Sequence, residues 1–327
     1  ILIVEPSRYL VVQTLRYFEK QTNIEVEQLY GAMPRANREY QWDTGTAVVT
    51  TPQTAYNDIE WLDFDAAIID ECHHTTGQHA FANLMREYDF ESVLGLSATI
   101  PTAKESEITN LIGEVRRWMW DDLPEEHVPE WIGEVYDTRY PDAYESIVDE
   151  LEDFRLQWQG TSKAGLATLG IRMLCRDGGL ALSETLEADT MMGDLMGETL
   201  NPQLETAPDL HKLSACRAAL EEHDFEKAVL FVDRVVVANR LAEEFDEYNT
   251  VTVLGRLQSG SGAQQEAVNQ AQADETDLII ATAAGEEGMD LPKADLLVVW
   301  SNVVSAVRFI QRLGRVMRQG EREKPKA

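Results

Sequence analysis

The chain has 327 residues, of which 44% are hydrophobic, and its formal net charge at pH 7 is −30. This length allows two or three domains with sizeable cores, and the lack of any apolar run of about 18 residues excludes a membrane-spanning helix. We expect a protein of the cytoplasm, because no secretory signal is recognisable and the three cysteines (Cys72, Cys175 and Cys216) form no C-x-x-C pair.

Among the charged residues, acidic residues outnumber basic ones and arginine outnumbers lysine. Eight lysines stand against twenty arginines, and 58 acidic residues are spread along the whole chain. A nucleic-acid-binding protein is usually basic, so the global charge argues against such a partner. Adaptation to high salt explains the pattern better, since charge repulsion is screened within ~3 Å at 1 M salt. We therefore expect a halophilic archaeal source, in which local charge decides what the protein binds.

The first third of the chain alternates strand-like and helical segments. Residues 8–20 have helical periodicity, with Leu10, Val11, Leu15 and Phe18 on one face. Short apolar runs rich in β-branched residues predict four strands, at 1–4, 47–51, 66–70 and 92–97.

The middle of the chain changes character, because β-branched runs disappear and Leu, Met, Ala and Glu dominate. Helices are predicted at 144–156, 162–174 and 183–195, with interruptions at Gly178-Gly179 and Asn201-Pro202.

The last third repeats the pattern of the first. Predicted strands lie at 228–232, 250–254, 278–281 and 296–300, and residues 235–245 are predicted to be helical. Continuous apolar strands separated by helices indicate parallel sheets covered on both faces. We therefore predict an α/β protein with two parallel-sheet domains, at 1–125 and 209–327, joined by a helical insert at 126–208.

Two adjacent carboxylates end the third predicted strand. Asp70 and Glu71 follow a buried apolar run, at the edge where open α/β sheets bind ligands. One carboxylate there can orient Mg²⁺, and the other can accept a proton from an attacking water. The neighbouring Cys72, His73, His74 and His79 are a weaker candidate for zinc, because no second Cys/His pair follows.

Hydroxyl residues end the strands on either side. Thr51-Pro52-Gln53 follows the preceding strand, and Ser97-Ala98-Thr99 follows the next one. These side chains could couple a nucleotide site to a bound nucleic-acid strand.

The last third carries two further candidates. Thr282 follows a predicted strand and could hydrogen-bond a phosphate, and the glycines after it, Gly285 and Gly288, would allow close approach of the backbone. Arginines then recur at spacings of four, three and three, which places them on one stripe of a helix and points to phosphate binding: Arg308, Arg312, Arg315 and Arg318.

Together these motifs resemble those of superfamily 2 helicases of the DEAD/DEAH type, here with a DECH box, and within that superfamily those of the Hef and FANCM group. Asp70-Glu71-Cys72-His73 resembles the Walker B box, and Ser97-Ala98-Thr99 resembles motif III. The other matching segments are Pro6-Ser7-Arg8 with Gln13 (motif Ia), Thr51-Pro52-Gln53-Thr54 with Asn57-Asp58 (motif Ib), 285–290 (motif V) and 305–318 (motif VI).

The resemblance implies two RecA-like domains and roles for individual residues. Asp70, Gly288, Asp290, Arg315 and Arg318 would bind ATP and its Mg²⁺, with Glu71 at the metal as well. Asp70, Glu71, Gln311, Arg315 and Arg318 would be catalytic. Ser97 and Thr99 would couple the sites, and Pro6, Ser7, Arg8, Thr51, Pro52, Gln53 and Thr282 would bind nucleic acid. Forked or branched DNA is the expected substrate, in repair or replication restart, with RNA less favoured.

The sequence departs from the family in one respect. No G-x-x-x-x-G-K-[ST] phosphate loop occurs in the 327 residues, and the family places it just upstream of motif Ia. The chain as given is therefore expected to be inactive without that Walker A segment. An XPB-like DNA helicase, an RNA helicase and a catalytically inactive helicase-like scaffold remain alternatives.

Overall fold

The computed structural model describes residues 1–118, 122, 132–282 and 291–301, with no side-chain detail at 256–262. The chain divides into two compact units, Ile1–Leu123 and Pro124–Ala327. Each contains one sheet whose paired strands all run parallel. The predicted α/β class with two parallel sheets is thus confirmed.

The first sheet has five strands in the order β2-β3-β1-β4-β5. The strands are β1 Leu2–Val4, β2 Glu27–Leu29, β3 Val48–Thr50, β4 Ala66–Ile69 and β5 Ser92–Gly95. Four of them were predicted. The sequence did not reveal β2, because it is a three-residue edge strand in which only Leu29 is buried.

Helices cover this sheet on both faces. They are α1 Arg8–Gln21, α2 Arg35–Thr44, α3 Pro52–Asn57, α4 Ala80–Glu87 and α5 Glu105–Leu111. Ile3 and Val49 pack with Val11 of α1 on one face, whereas Leu2 and Val4 face the larger cluster on the other. Alternating side chains of one strand therefore enter two cores.

The middle of the chain forms five helices. They are α6 Asp142–Gln157, α7 Lys163–Asp177, α8 Gly179–Glu187, α9 Met191–Leu204 and α10 Leu213–Glu222. The predicted break at Gly178 is confirmed, and this glycine has a φ of 105°, which favours residues without a Cβ.

Two details of the helix prediction were wrong. The single helix predicted at 183–195 is divided, because α8 ends at Glu187 and Thr190 caps α9 by accepting a hydrogen bond from the Gly193 N–H at 3.0 Å. The predicted interruption at Asn201-Pro202 does not occur either, since Pro202 lies within the last turn of α9. Proline removes the hydrogen bond that its own N–H would donate to the fourth residue before it, but only two helical residues follow Pro202, so little of the helix depends on that bond.

Within the described part of the second unit, the sheet has four strands in the order β7-β8-β6-β9. The strands are β6 Ala228–Val232, β7 Thr250–Val253, β8 Leu278–Thr282 and β9 Leu296–Val299, and the helices are α11 Val235–Glu244 and α12 Arg256–Ala271. All four strands were predicted from their apolar runs. Every residue of β6 and β8 is buried, as expected for central parallel strands.

The helices of the middle segment share a core with the second sheet. Leu151 of α6 and Leu182 of α8 belong to the same buried cluster as Leu230 of β6 and Leu278 of β8. The segment is thus part of the hydrophobic core of the second unit. No helix in the described part of the chain is both long and apolar enough to cross a membrane.

Candidate nucleotide and nucleic-acid site

The predicted site residues of the first unit gather at one edge of its sheet. Because the strands are parallel and in register, the residues after each strand meet at the carboxyl edge. The Glu5 N–H donates to Thr50 O at 2.9 Å, and the Asp70 N–H donates to Val4 O at 3.0 Å. Thr51, Glu5 and Asp70 therefore stand side by side, with Ser97 following the adjacent β5.

Glu71 has an unusual backbone. Its φ of 47° and ψ of 47° lie in the left-handed region, and it is the only non-glycine with positive φ among the described residues. Such a conformation costs roughly 1–3 kcal/mol unless the surroundings hold it, and it concentrates at functional sites. The next residues form a short turn in which the Cys72 N–H donates to Leu96 O at 2.8 Å, which ties the turn to the end of β5.

His73 joins the carboxylate to the next strand end. Its Nδ1 lies 3.0 Å from Glu71 Oε2 and 2.9 Å from Ser97 Oγ. The Ser97 hydroxyl also donates to Thr99 O at 2.8 Å. Glu71, His73 and Ser97 thus form one polar chain, through which a movement at either end can reach the other. The predicted coupling pair, Ser97 and Thr99, lies at the end of this chain.

Sequence reasoning missed Glu5. Only 5% of this residue is exposed, although it ends an otherwise apolar strand run, which is the signal that could have identified it. Thr14 Oγ1 donates to Glu5 Oε1 at 2.7 Å, whereas Oε2 has no hydrogen-bond partner among the described residues. Burial is the main cause that raises the pKa of Glu5 to about 7, and the negative charges of Asp70 and Glu71 add to it.

Asp70 is in a similar environment. Burial raises the pKa of Asp70 above its usual range, and the charge of Glu71 adds to the effect, while a hydrogen bond with the Glu71 backbone opposes it. Excess negative charge and an unpaired buried carboxylate oxygen fit a bound cation with hard oxygen ligands, such as Mg²⁺. No three His, Cys, Asp or Glu side chains in the described ranges are arranged to ligate one metal ion, so water and phosphate oxygens would complete the shell.

The predicted nucleic-acid residues occupy the other half of the same edge. Ser7 Oγ accepts from the Leu10 N–H at 3.3 Å and caps α1, which leaves Arg8 exposed on its first turn. The Arg8 guanidinium stacks on the Tyr30 ring, with 3.8 Å between its carbon and the ring centroid. Tyr30 follows β2, which the sequence did not predict, and so this contact was missed as well.

The remaining predicted nucleic-acid-binding residues at this edge differ in their exposure to solvent. Pro6 is half-buried beside Ser7. Thr51 Oγ1 lies 2.9 Å from Thr54 Oγ1, Pro52 is buried in the first turn of α3, and Gln53 is exposed. Of this group, Gln53 offers the most accessible side chain for a phosphate.

Asp58, within the segment that resembles motif Ib, has contacts that support the fold. Its carboxylate accepts from Arg38 Nε at 2.7 Å and Nη2 at 3.0 Å, and from Trp42 Nε1 at 3.1 Å. Only 3% of Asp58 is exposed. This buried ion pair holds α2 against the turn that follows α3.

The carboxyl edge of the second sheet is tied to the middle helices. Ser301 Oγ donates to the buried Asp177 Oδ1 at 2.7 Å, and Arg176 Nη1 lies 2.8 Å from Asp233 Oδ2. The Lys212 ammonium donates to Arg176 O at 2.7 Å and to Trp300 O at 2.9 Å. The end of α7 is therefore fastened to the ends of β6 and β9.

Thr282 lies at this edge, at the end of β8. It is 4% exposed, and its hydroxyl has no hydrogen-bond partner among the described residues. The other predicted residues of the second unit lie outside the described residues: Gly288, Asp290, Gln311, Arg315 and Arg318.

Two protein families match the ends of the chain. Residues 1–102 match the family described as the type III restriction enzyme res subunit, and residues 211–320 match the helicase conserved C-terminal domain.

Two relatives match over most of the chain. A protein of Methanocaldococcus jannaschii named as an ATP-dependent RNA helicase is 22% identical over 97% of this chain and 50% of its own length. The DNA 3′–5′ translocase XPB2 of Sulfurisphaera tokodaii is 24% identical over 84% of this chain and 61% of its own length. The chain thus spans about half to three fifths of the length of these relatives.

A solved structure has the same fold. The helicase domain of Pyrococcus furiosus Hef superposes with a TM-score of 0.59 and 22% identity, over 97% of this chain and 84% of that one. Two parallel sheets of RecA-like type, the polar chain at the end of β4, and family matches at both ends agree with one another. The chain is thus similar to helicases of superfamily 2, in sequence at both ends and in fold to the Hef helicase domain.

Proposed function

We propose that this chain is the motor portion of an ATP-dependent DNA helicase or translocase that acts on forked or branched DNA. The observation that carries the proposal is the polar chain of Glu71, His73 and Ser97, next to the Arg8 and Thr51 half of the same edge. A nucleotide-hydrolysing group and nucleic-acid-binding groups would then share one rigid sheet edge.

Each described residue has a task in this proposal. Asp70 would hold Mg²⁺, which, when bound, neutralises phosphate charge and orients the nucleotide. Glu71 would accept a proton from the attacking water, and His73 would keep its carboxylate oriented. Arg8, Gln53 and Thr51 would contact the sugar-phosphate backbone. Arg315 and Arg318 are proposed from sequence alone to neutralise charge on the γ-phosphate.

A catalytically inactive scaffold is the main alternative from another class. The left-handed backbone of Glu71 argues against it, since a strained conformation persists where it is needed. The contacts from Glu71 to His73 and from His73 to Ser97 argue in the same direction. RNA and XPB-like alternatives are kept open by the relatives, one named as an RNA helicase and one as a DNA translocase.

Strand separation by the full-length protein tests the proposal. We expect ATP-dependent unwinding of a forked DNA duplex, with a lower rate on a blunt DNA duplex and on a matched RNA duplex. Equal or faster unwinding of the RNA duplex would reassign the substrate. Binding of the fork without any ATP hydrolysis would support the scaffold instead.

A further inference from the structure

Glu5 is a buried carboxylate to which the proposed function assigns no task. It directly follows β1, next to Asp70, which directly follows the paired strand β4. One of its oxygens is held by Thr14, and the other has no hydrogen-bond partner among the described residues, although 95% of the residue is buried. Buried polar oxygens are nearly always paired, so this one requires a partner such as a water or a bound cation.

We propose that Glu5 and Asp70 together bind one divalent cation, with Glu5 as a ligand or as the acceptor from a metal-bound water. The inference rests on the proposed function, because Asp70 is the metal-binding residue there. It adds a second carboxylate from a different strand. Mg²⁺ is typically held by one or two carboxylates, with water and phosphate oxygens completing its shell.

The geometry favours a cation over a purely structural pair. Two carboxylates in contact repel each other when both are ionised. The Thr14 hydroxyl that donates to Glu5 Oε1 is neutral, so it does not compensate a negative charge on this carboxylate. A divalent cation would compensate both charges and satisfy the unpaired oxygen. A proton shared between the two carboxylates would compensate only one of the two negative charges, and a pair held in that way would not bind a metal ion.

Metal binding can be measured directly, without ATP turnover. The probe is Mn²⁺, counted by electron paramagnetic resonance on the 327-residue chain in molar KCl, which screens weak binding to the acidic surface. The variants are Glu5→Gln, which keeps the shape, Glu5→Asp, which keeps a carboxylate, and Asp70→Asn. Glu91→Gln is the matched control. It removes one exposed negative charge just before β5, at the amino-terminal end of the strands, whereas Glu5 and Asp70 lie at their carboxyl end.

The expected result is one tight Mn²⁺ site in the wild type and in Glu91→Gln. Glu5→Gln should weaken Mn²⁺ binding by about 10–100-fold, as loss of a ligand or its supporting acceptor does, and Glu5→Asp should retain more affinity than Glu5→Gln.

Wild-type affinity in Glu5→Gln, with loss of affinity in Asp70→Asn, would overturn the inference and leave the proposed function standing. Equal loss in Glu5→Gln and Glu5→Asp would also overturn it, because packing would then explain the effect. Absence of a tight site in the wild type, or wild-type affinity in Asp70→Asn, would remove both the inference and the metal part of the proposed function.

Discussion

Glu71 combines a costly backbone conformation with two supporting contacts. The left-handed φ turns the chain directly after β4 and Asp70, at the start of the short turn that begins at Cys72. His73 and the end of β5 then fix the turn. Two adjacent carboxylates can therefore have separate tasks, one at the metal and one at the water.

The first prediction concerns the stability of Glu5→Gln. The pKa of Glu5 is raised from 4.5 to about 7 by burial, so the protonated form is favoured in the folded state. Its contribution to the free energy of unfolding is full below pH 4.5 and is lost as the pH rises through 7. Glu5→Gln stays neutral throughout, and relative to wild type it should gain on the order of 1–3 kcal/mol between about pH 5 and pH 8.

Denaturant unfolding of both proteins with a chelator present, at fixed high salt, measures this difference. Glu91→Gln serves as the control, because its exposed side chain should give the same difference from wild type at both pH values. A Glu5→Gln difference that does not change with pH would contradict the burial of an ionisable Glu5.

The second prediction concerns Ser97→Ala in the full-length protein. It removes the hydroxyl that lies 2.9 Å from His73 Nδ1 and donates to Thr99 O. ATP hydrolysis should stay within about tenfold of wild type, because Glu71 and Asp70 are unchanged, whereas unwinding should fall much further. Ser92→Ala, at the other end of the same strand, is the control. If hydrolysis and unwinding fall in proportion, Ser97 does not couple the two processes.

At the scale of elements, the sequence predicted those strands and helices whose positions follow from buried apolar residues. Of the nine strands in the described residues, eight follow from apolar runs, because central parallel strands are buried on both faces. The exception, β2, is a short edge strand, and the division of α8 from α9 depends on a threonine cap that apolar periodicity does not report. Asp70, Glu71 and Ser97 could be located at strand ends, and Glu5 could have been located in the same way. The pairing of Glu5 with Asp70 could not be predicted, because it depends on which strands are neighbours in the sheet, and Tyr30 follows the strand that was missed.

The middle helices were predicted as an insert, and they carry exposed basic side chains through which we propose that they contact a DNA fork. Replacing them with a flexible linker would expose Leu230 and Leu278, which pack in the same cluster. Arg176 is also unavailable for DNA, because it pairs with Asp177 and Asp233. Surface substitutions are therefore the cleaner test of whether these helices contact a fork.

The third prediction reverses two exposed charges on these helices. Lys163→Glu with Arg172→Glu, both on α7, should weaken binding of forked DNA by about 1–3 kcal/mol and should affect linear single strands less. Arg16→Glu with Lys20→Glu, both exposed on α1 in the first unit, is the control, because it changes the overall charge by the same amount. Titration of labelled fork and single strand measures both affinities. Equal loss on the two substrates, or none, would leave the middle helices with a structural role only.

At the scale of the molecule, the charge of −30 contrasts with a nucleic-acid substrate. The fourth prediction is that folding and DNA binding both persist in molar KCl. A typical basic binder loses ~10³–10⁵ in affinity between 50 and 200 mM salt, whereas here salt also screens repulsion between the acidic surface and DNA. Unfolding curves and DNA titrations from about 0.1 to 3 M KCl test this. Best stability at the lowest salt would contradict adaptation to high salt.

The central claim is that Glu71 activates the water that attacks ATP. Its most direct test is the rate of DNA-stimulated ATP hydrolysis by the full-length protein, compared with that of Glu71→Gln. We predict a fall of about 10²–10⁴, with DNA binding unchanged and with Glu91→Gln at the wild-type rate. Hydrolysis by Glu71→Gln within about tenfold of wild type, or a wild-type protein that DNA does not stimulate, would contradict the account.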